Sequence, residues 1–328
     1  MTRLKRRKEV ENASEATTPD DVRFGTPELV AQHRAKRLRA DTIVEIGAGA
    51  GFQTGAFAAI AKRVIAVDID PERLSRAHFP QNVIPIAGDA LDPATIRIIK
   101  ERLDGKVAVF LDPERPASST HRTLSEVRPF IPKFLDMYAA ISEDIAIELP
   151  PFLDAKEIPG KCEREYLSVD GQLNRLTAYF GGLRACDVSV VRLPGEERIE
   201  HNGRRPGLVE NLDEARFVLE PDAALAHAGL VPLALPAHYR RIPGKKPAFL
   251  ASKRPASGWF RAYRIVAAGD DATIRRALAR RPPAAIILHG SVSQDDQRRI
   301  LASYRPLCHG DGRLHLFIGR QRYLTTRE

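Results

Sequence analysis

Three cysteines, Cys162, Cys186 and Cys308, are all that 328 residues contain, and no two stand as a Cys-x-x-Cys pair. That scarcity excludes a disulfide framework and a cysteine zinc site, and it makes a reducing, cytoplasmic setting the expectation. Long apolar runs are missing as well. None approaches the roughly 20 residues of a spanning helix, so no membrane partner is expected. The opening stretch MTRLKRRKEVENASEATTPDD is charged and has no apolar core, so it does not read as a secretory signal. Internal repeats and low-complexity tracts are lacking too. His289, His309 and Cys308 are dispersed, and no metal site is expected.

What the chain does have is length, charge and pattern. Its length suits two domains. A hydrophobic content of 43% and a charged content of 28% fit a globular protein. The net charge of +9 and pI near 9.6 favour a polyanionic partner, nucleic acid before others. Residues 1–22 read as a solvated basic and polar tail. Thr26-Pro27-Glu28 then opens a helix. Short apolar runs at 43–47, 64–68, 83–87, 107–111 and 145–149 alternate with helical patterns such as TGAFAAIAKR and PATIRIIKERL. The alternation predicts an α/β protein with a doubly wound, Rossmann-like parallel sheet.

Beyond residue 150, REYLSVDGQLNRLTAYFGGL and DVSVVRLPG predict two further strands and a helix, with Asp170 capping that helix. The turn-rich stretch 200–210 marks a boundary. RIPGKKPAFLASKRPASG reads as a basic loop, and the chain from Trp259 onward reads as a small α/β domain.

The informative stretch is IVEIGAGAGFQTGAFA, residues 43–58. Glycines after a strand allow a tight turn and close approach of backbone to a ligand. The spacing is Glu-x-Gly-x-Gly-x-Gly, through Glu45, Gly47, Gly49 and Gly51. A dinucleotide fingerprint would put its third glycine where Phe52 stands. Asp68 ends the second strand, Asp89 follows the third, and Asp112-Pro113-Glu114-Arg115 follows the fourth. Ligands of open α/β sheets bind at such strand ends, so these residues belong around one crevice.

This series resembles the class I S-adenosylmethionine-dependent methyltransferases. The resemblance implies that Glu45, Gly47, Gly49, Gly51, Asp68 and Asp89 hold S-adenosylmethionine, with Asp68 on the ribose and Asp89 on the adenine amine. It also implies that Asp112 and Pro113 sit where enzymes of this kind activate an amine with an Asp-Pro-Pro-aromatic signature. Arg115 stands in the aromatic's place and would stack on a base or hold a phosphate. Phe152, in ELPPF, is a second candidate for stacking or else a core residue.

FGTPELVAQHRAKRL, the Ser168-Val169-Asp170-Gly171 segment, FVLEPDAALAHAGLV and GWFRAYRIV are similar to a prokaryotic methyltransferase family with a C-terminal THUMP-like domain. The implied organisation is a tail over 1–22, a methyltransferase domain over 23–200, a linking segment over 201–257 and a THUMP-like domain over 258–328. The implied activity is methylation of tRNA or rRNA, with a guanine exocyclic amine as a candidate target. Lys245, Lys246, Arg254, Trp259 and Arg261 are the candidate RNA contacts. Alternation along a strand puts Trp259, Arg261, Tyr263 and Ile265 on one face, which either packs against the neighbouring domain or stacks on bases. Two alternatives stay open: a small-molecule or protein methyltransferase, and an RNA-binding protein with a degenerate pocket.

Overall fold

The computed structural model describes residues 25–114, 124–204, 206–244, 246–290 and 292–328. The chain divides into two compact units, Met1–Gly203 and Arg204–Glu328.

In the first unit the five apolar runs form β1 (Thr42–Ile46), β2 (Arg63–Asp68), β3 (Val83–Ala87), β4 (Val107–Leu111) and β5 (Ile145–Leu149). Each lies within one residue of its expected span. They are parallel to one another and ordered β3-β2-β1-β4-β5. The helices between them are α1 (Glu28–Leu38), α2 (Thr54–Ala58), α3 (Pro71–Arg76), α4 (Pro93–Lys100) and α5 (Ile131–Tyr138). Asp70 and Asp92 cap α3 and α4 through their carboxylates, each with proline next in line. β1 is buried along its whole length, as a strand covered on both faces must be. The order reverses between β1 and β4, so the crevice lies at their carboxyl ends.

Four more strands extend this sheet: β6 (Glu163–Val169), β7 (Gln172–Tyr179), β8 (Val188–Leu193) and β9 (Glu197–His201), ordered β5-β7-β6-β8-β9. The helix expected after Asp170 is not there. Asp170 (φ +53°) and Gly171 (φ +79°) instead form the two-residue turn of the β6–β7 hairpin. Both take the left-handed conformation that a type I′ turn demands, which explains an Asp-Gly pair.

β6 carries two fully buried carboxylates. Glu163 accepts from Arg37 Nη2 (2.9 Å), Ser189 Oγ (2.6 Å), Ala185 N (2.9 Å) and Arg198 Nη2 (2.5 Å). Glu165 meets His33 Nε2 at 2.9 Å and accepts from Arg198 Nη1. Burial alone would raise the Glu165 pKa. The His33 hydrogen bond and the charges of His33, Arg37 and Arg198 outweigh it and hold the group at about 2. This network joins α1 to the far strands of the sheet.

The second unit has its own sheet, ordered β11-β12-β10-β13-β16-β15-β14. Its strands are β10 (Phe217–Pro221), β11 (Tyr239–Ile242), β12 (Ala248–Ala251), β13 (Phe260–Gly269), β14 (Ala285–His289), β15 (Arg313–Ile318) and β16 (Arg322–Arg327). Helices α6 (Ala223–Ala228) and α7 (Val231–Ala234) follow β10. α8 (Asp271–Arg280) and α9 (Gln294–Tyr304) pack Ile274, Leu278 and Tyr304 against Leu314, Leu316 and Leu324. Residues 201–257 are therefore not a mere link. They supply β10, β11 and β12, and β10 pairs directly with β13. The basic loop expected at RIPGKKPAFLASKRPASG contains the end of β11 and all of β12.

Candidate active site

β1 ends at Ile46, and the chain turns through Gly47 (φ +80°), Gly49 (φ +54°) and Gly51 (φ +82°). All three hold the left-handed conformation that favours glycine. Their surroundings differ. A Cβ at Gly47 would stand 2.3 Å from the Asp112 carbonyl oxygen, and one at Gly51 would stand 2.9 Å from the Phe79 ring. Nothing lies within 4 Å of the corresponding point at Gly49. Gly47 thus lets the ends of β1 and β4 close on one another, and Gly49 opens onto free space. Gly47→Ala is expected to destabilise the first unit by about 2 kcal/mol, because backbone must move and φ is wrong. Denaturant unfolding checks this.

The acids sit at successive strand ends. Asp68, buried at the end of β2, accepts from Gly49 N (2.7 Å) with Oδ2 and from Asp70 N (2.9 Å) with Oδ1. It pins the glycine turn to the β2–α3 turn, and each oxygen keeps a lone pair for a further donor. Asp89, after β3, is exposed and accepts from Leu91 N at 2.8 Å. Glu45 is the most deeply buried of these acids. It lies beneath the turn, 1% exposed, and accepts from Thr54 Oγ1 at 2.6 Å. Burial, with the charges of Asp112 and Asp68 added, raises its pKa to about 8. Its bond to Thr54 ties the end of β1 to the start of α2.

Asp112 is half-buried at the end of β4. Its Oδ2 accepts from Gln53 Nε2 at 2.9 Å. Burial and the neighbouring Glu148 push its pKa up to about 7, against the pull of Arg34 and Arg175. Pro113 is half-buried beside it, and Glu114 is exposed and pairs with Arg73 at 2.7 Å. Arg115 lies outside the described residues.

Behind Asp112 stands a group that the sequence reading missed. Arg34, on α1 and 2% exposed, donates from Nη2 to Glu148 Oε2 (2.6 Å) and from Nη1 to Gln53 Oε1. Its guanidinium carbon lies 4.6 Å from the Phe110 ring centroid. Arg175 Nε reaches Glu148 Oε1 at 2.7 Å. One signal was available. Val30, Arg34 and Leu38 recur at a helical spacing of four, which puts Arg34 on the buried face of α1. Exposed apolar side chains line the same edge of the sheet: Ile69 after β2 at 68% and Phe152 after β5 at 51%.

In the second unit Lys246, Arg254 and Arg261 are exposed, and Lys245 lies outside the described residues. Arg254 approaches Glu328 at 3.7 Å. Trp259 is not a stacking platform. It is 4% exposed and belongs to the core of its unit. β13 begins only at Phe260, and its register shifts between Ile265 and Ala267, so the assumed alternation of faces fails. His289, read as an isolated residue, is bonded on both nitrogens, by Nδ1 to Glu220 Oε1 and by Nε2 to His315 Nδ1, each at 2.8 Å. Tyr263 donates to Glu220 Oε2 at 2.8 Å.

No protein-family model matches the sequence. Two uncharacterised S-adenosylmethionine-dependent methyltransferases of Mycobacterium tuberculosis, from strains CDC 1551 and H37Rv, are each 25% identical to this chain over 226 residues. The match takes in 65% of this chain, which spans 59% of the length of those relatives. A Methanosarcina acetivorans protein named "Probable ribosomal RNA small subunit methyltransferase A" is 51% identical over 55 residues, 16% of this chain and 20% of that one. Among solved structures, a Porphyromonas gingivalis W83 protein with a provisional methyltransferase name superposes with a TM-score of 0.77 at 14% identity, covering 99% of this chain and 88% of that one. That likeness is one of fold, and it runs through almost the whole chain.

Proposed function

We propose that this chain is an S-adenosylmethionine-dependent RNA methyltransferase acting on an exocyclic amine, a guanine amine first, in tRNA or rRNA. The observation that carries the reading is the junction of β1 and β4. There the Asp112 carbonyl lies against Gly47, and the Asp112 carboxyl is hydrogen-bonded to Gln53 of the turn region. The residues fit the cofactor. Space is open at Gly49, Asp68 has lone pairs to spare for ribose hydroxyls, and Asp89 stands exposed for the adenine amine.

When bound, S-adenosylmethionine supplies an electrophilic methyl group. The chain's own residues orient the acceptor and remove a proton. An exocyclic amine is a weak nucleophile because its lone pair is delocalised into the ring. The Asp112 carboxylate and the Pro113 carbonyl accept its hydrogens and restore that lone pair. Asp112 then takes the proton that the methylated amine sheds. A base near 7 is matched to neutral pH. Only its ionised form accepts a proton, so kcat is expected to rise with pH through about 7. A flat profile between about pH 5 and pH 9 would count against Asp112 as the base.

Charge supports RNA as the acceptor. Residues 204–328 carry 22 Lys and Arg against 11 Asp and Glu, a surplus of 11, while the surplus of the whole chain is 9. The first 203 residues are thus nearly balanced in charge, and the net positive surplus lies in the second unit. A polyanion would be held there by phosphate contacts. We read this unit as the THUMP-like module, with Lys246, Arg254 and Arg261 among its contacts. The name of the Methanosarcina relative points the same way.

The test is transfer of labelled methyl to total RNA from a strain lacking the gene, followed by digestion and mass spectrometry. N2-methylguanosine is the expected product. Cofactor binding without RNA labelling would redirect the search to small-molecule or protein acceptors. No cofactor binding would overturn the reading.

A further inference from the structure

We propose that Arg34 and Gln53 are positioning residues that dictate which oxygen of Asp112 takes the proton from the substrate. The inference rests on the reading of Asp112 given above.

The side-chain amide of Gln53 could in principle present either end to Asp112. Arg34 removes the choice. A guanidinium only donates, so Gln53 must turn Oε1 toward Arg34 and Nε2 toward Asp112. Arg34 in turn cannot rotate away. Its other Nη is bound to Glu148, and its flat face lies against Phe110. Arg34 and Gln53 are both buried, so water does not compete for these bonds.

The consequence falls on Asp112. A permanent donor at Oδ2 opposes a proton on that oxygen, which leaves Oδ1 as the basic position. The chain Glu148–Arg34–Gln53–Asp112 therefore runs from the end of β5, through α1 and the turn after β1, to the end of β4. It presents one lone pair in one direction, which proton removal needs and a freely rotating carboxylate does not give.

Two substitutions test it in the full chain. Gln53→Leu removes the donor at similar volume. Gln53→Glu keeps an acceptor for Arg34 but sets a second acid against Asp112. Both are expected to weaken the acidity of Asp112 by about tenfold or more, one pH unit upward. The first readout is the carboxyl stretch in pH-difference infrared spectra, with the Asp112→Asn spectrum subtracted, and it needs no activity. The second is the pH profile of methyl transfer, whose acid limb should move by the same amount. At pH 7 the ionised fraction drops from about one half to about one tenth, so kcat should fall about fivefold, with the KM for RNA unchanged. Thermal unfolding and calorimetry with S-adenosylmethionine confirm that each variant is folded and loaded.

An unmoved infrared midpoint in both folded variants overturns the relay. A moved midpoint in a chain whose wild type methylates no RNA at any pH supports the relay and overturns RNA as the acceptor.

Discussion

Asp112→Asn is expected to lower kcat for RNA methylation by about a thousandfold, the middle of the range for a lost acid–base group. The affinities for S-adenosylmethionine and RNA should stay within a few-fold of wild type. Asparagine fills the same space and leaves the backbone contact at Gly47 untouched. Its amide cannot take a proton. The loss therefore falls on the transition state and not on ground-state binding, so kcat and kcat/KM drop together. Single-turnover transfer, with calorimetry on both ligands, checks this. A variant that loses affinity but keeps kcat would make Asp112 a binding residue only.

The second large effect is on stability. Arg198→Ala strips one cation from two carboxylates that are buried at 0% and 1% exposure. Breaking a buried pair leaves an uncompensated charge, and the cost is about 3 kcal/mol. That corresponds to a fall in Tm of the first unit on the order of 10 °C. Arg198→Lys should recover only part, because one ammonium cannot fork to Glu163 and Glu165 as the guanidinium does. The effect also has a pH signature. Glu165 is depressed to about 2, so its contribution is present above its ordinary pKa and fades as pH falls toward 2. With Arg198 gone the folded-state pKa rises, and acid unfolding should begin at a higher pH. Scanning calorimetry across pH measures both arms.

How far the sequence could be read depended on how local each signal was. The five parallel strands announce themselves as continuous apolar runs, and Asp70-Pro71 and Asp92-Pro93 mark helix starts within a few residues. The glycines and acids at the strand ends are legible for the same reason. Arg34, Gln53, Glu148 and Arg175 come from four separate elements, and only the fold brings them to Asp112. β11 and β12 are four residues each in a Pro- and Gly-rich stretch. They are strands because β10 supplies a paired edge from a distance. The hairpin was legible in Asp170-Gly171, but the polar residues that follow suggested a helix. Trp259 was misplaced by alternation extrapolated across the start of β13, where the strand had not yet begun.

Among the described residues no strand of one sheet is paired in the other, and the chain crosses from one compact unit to the next between Gly203 and Arg204. A cut near residue 258 would instead tear β10 from β13 and part Glu220 from His289. In a lineage, then, the first unit and the basic second unit can be gained, lost or exchanged as wholes at a single point of the gene. A recombination junction inside 204–328 would leave a sheet that cannot close its own ranks.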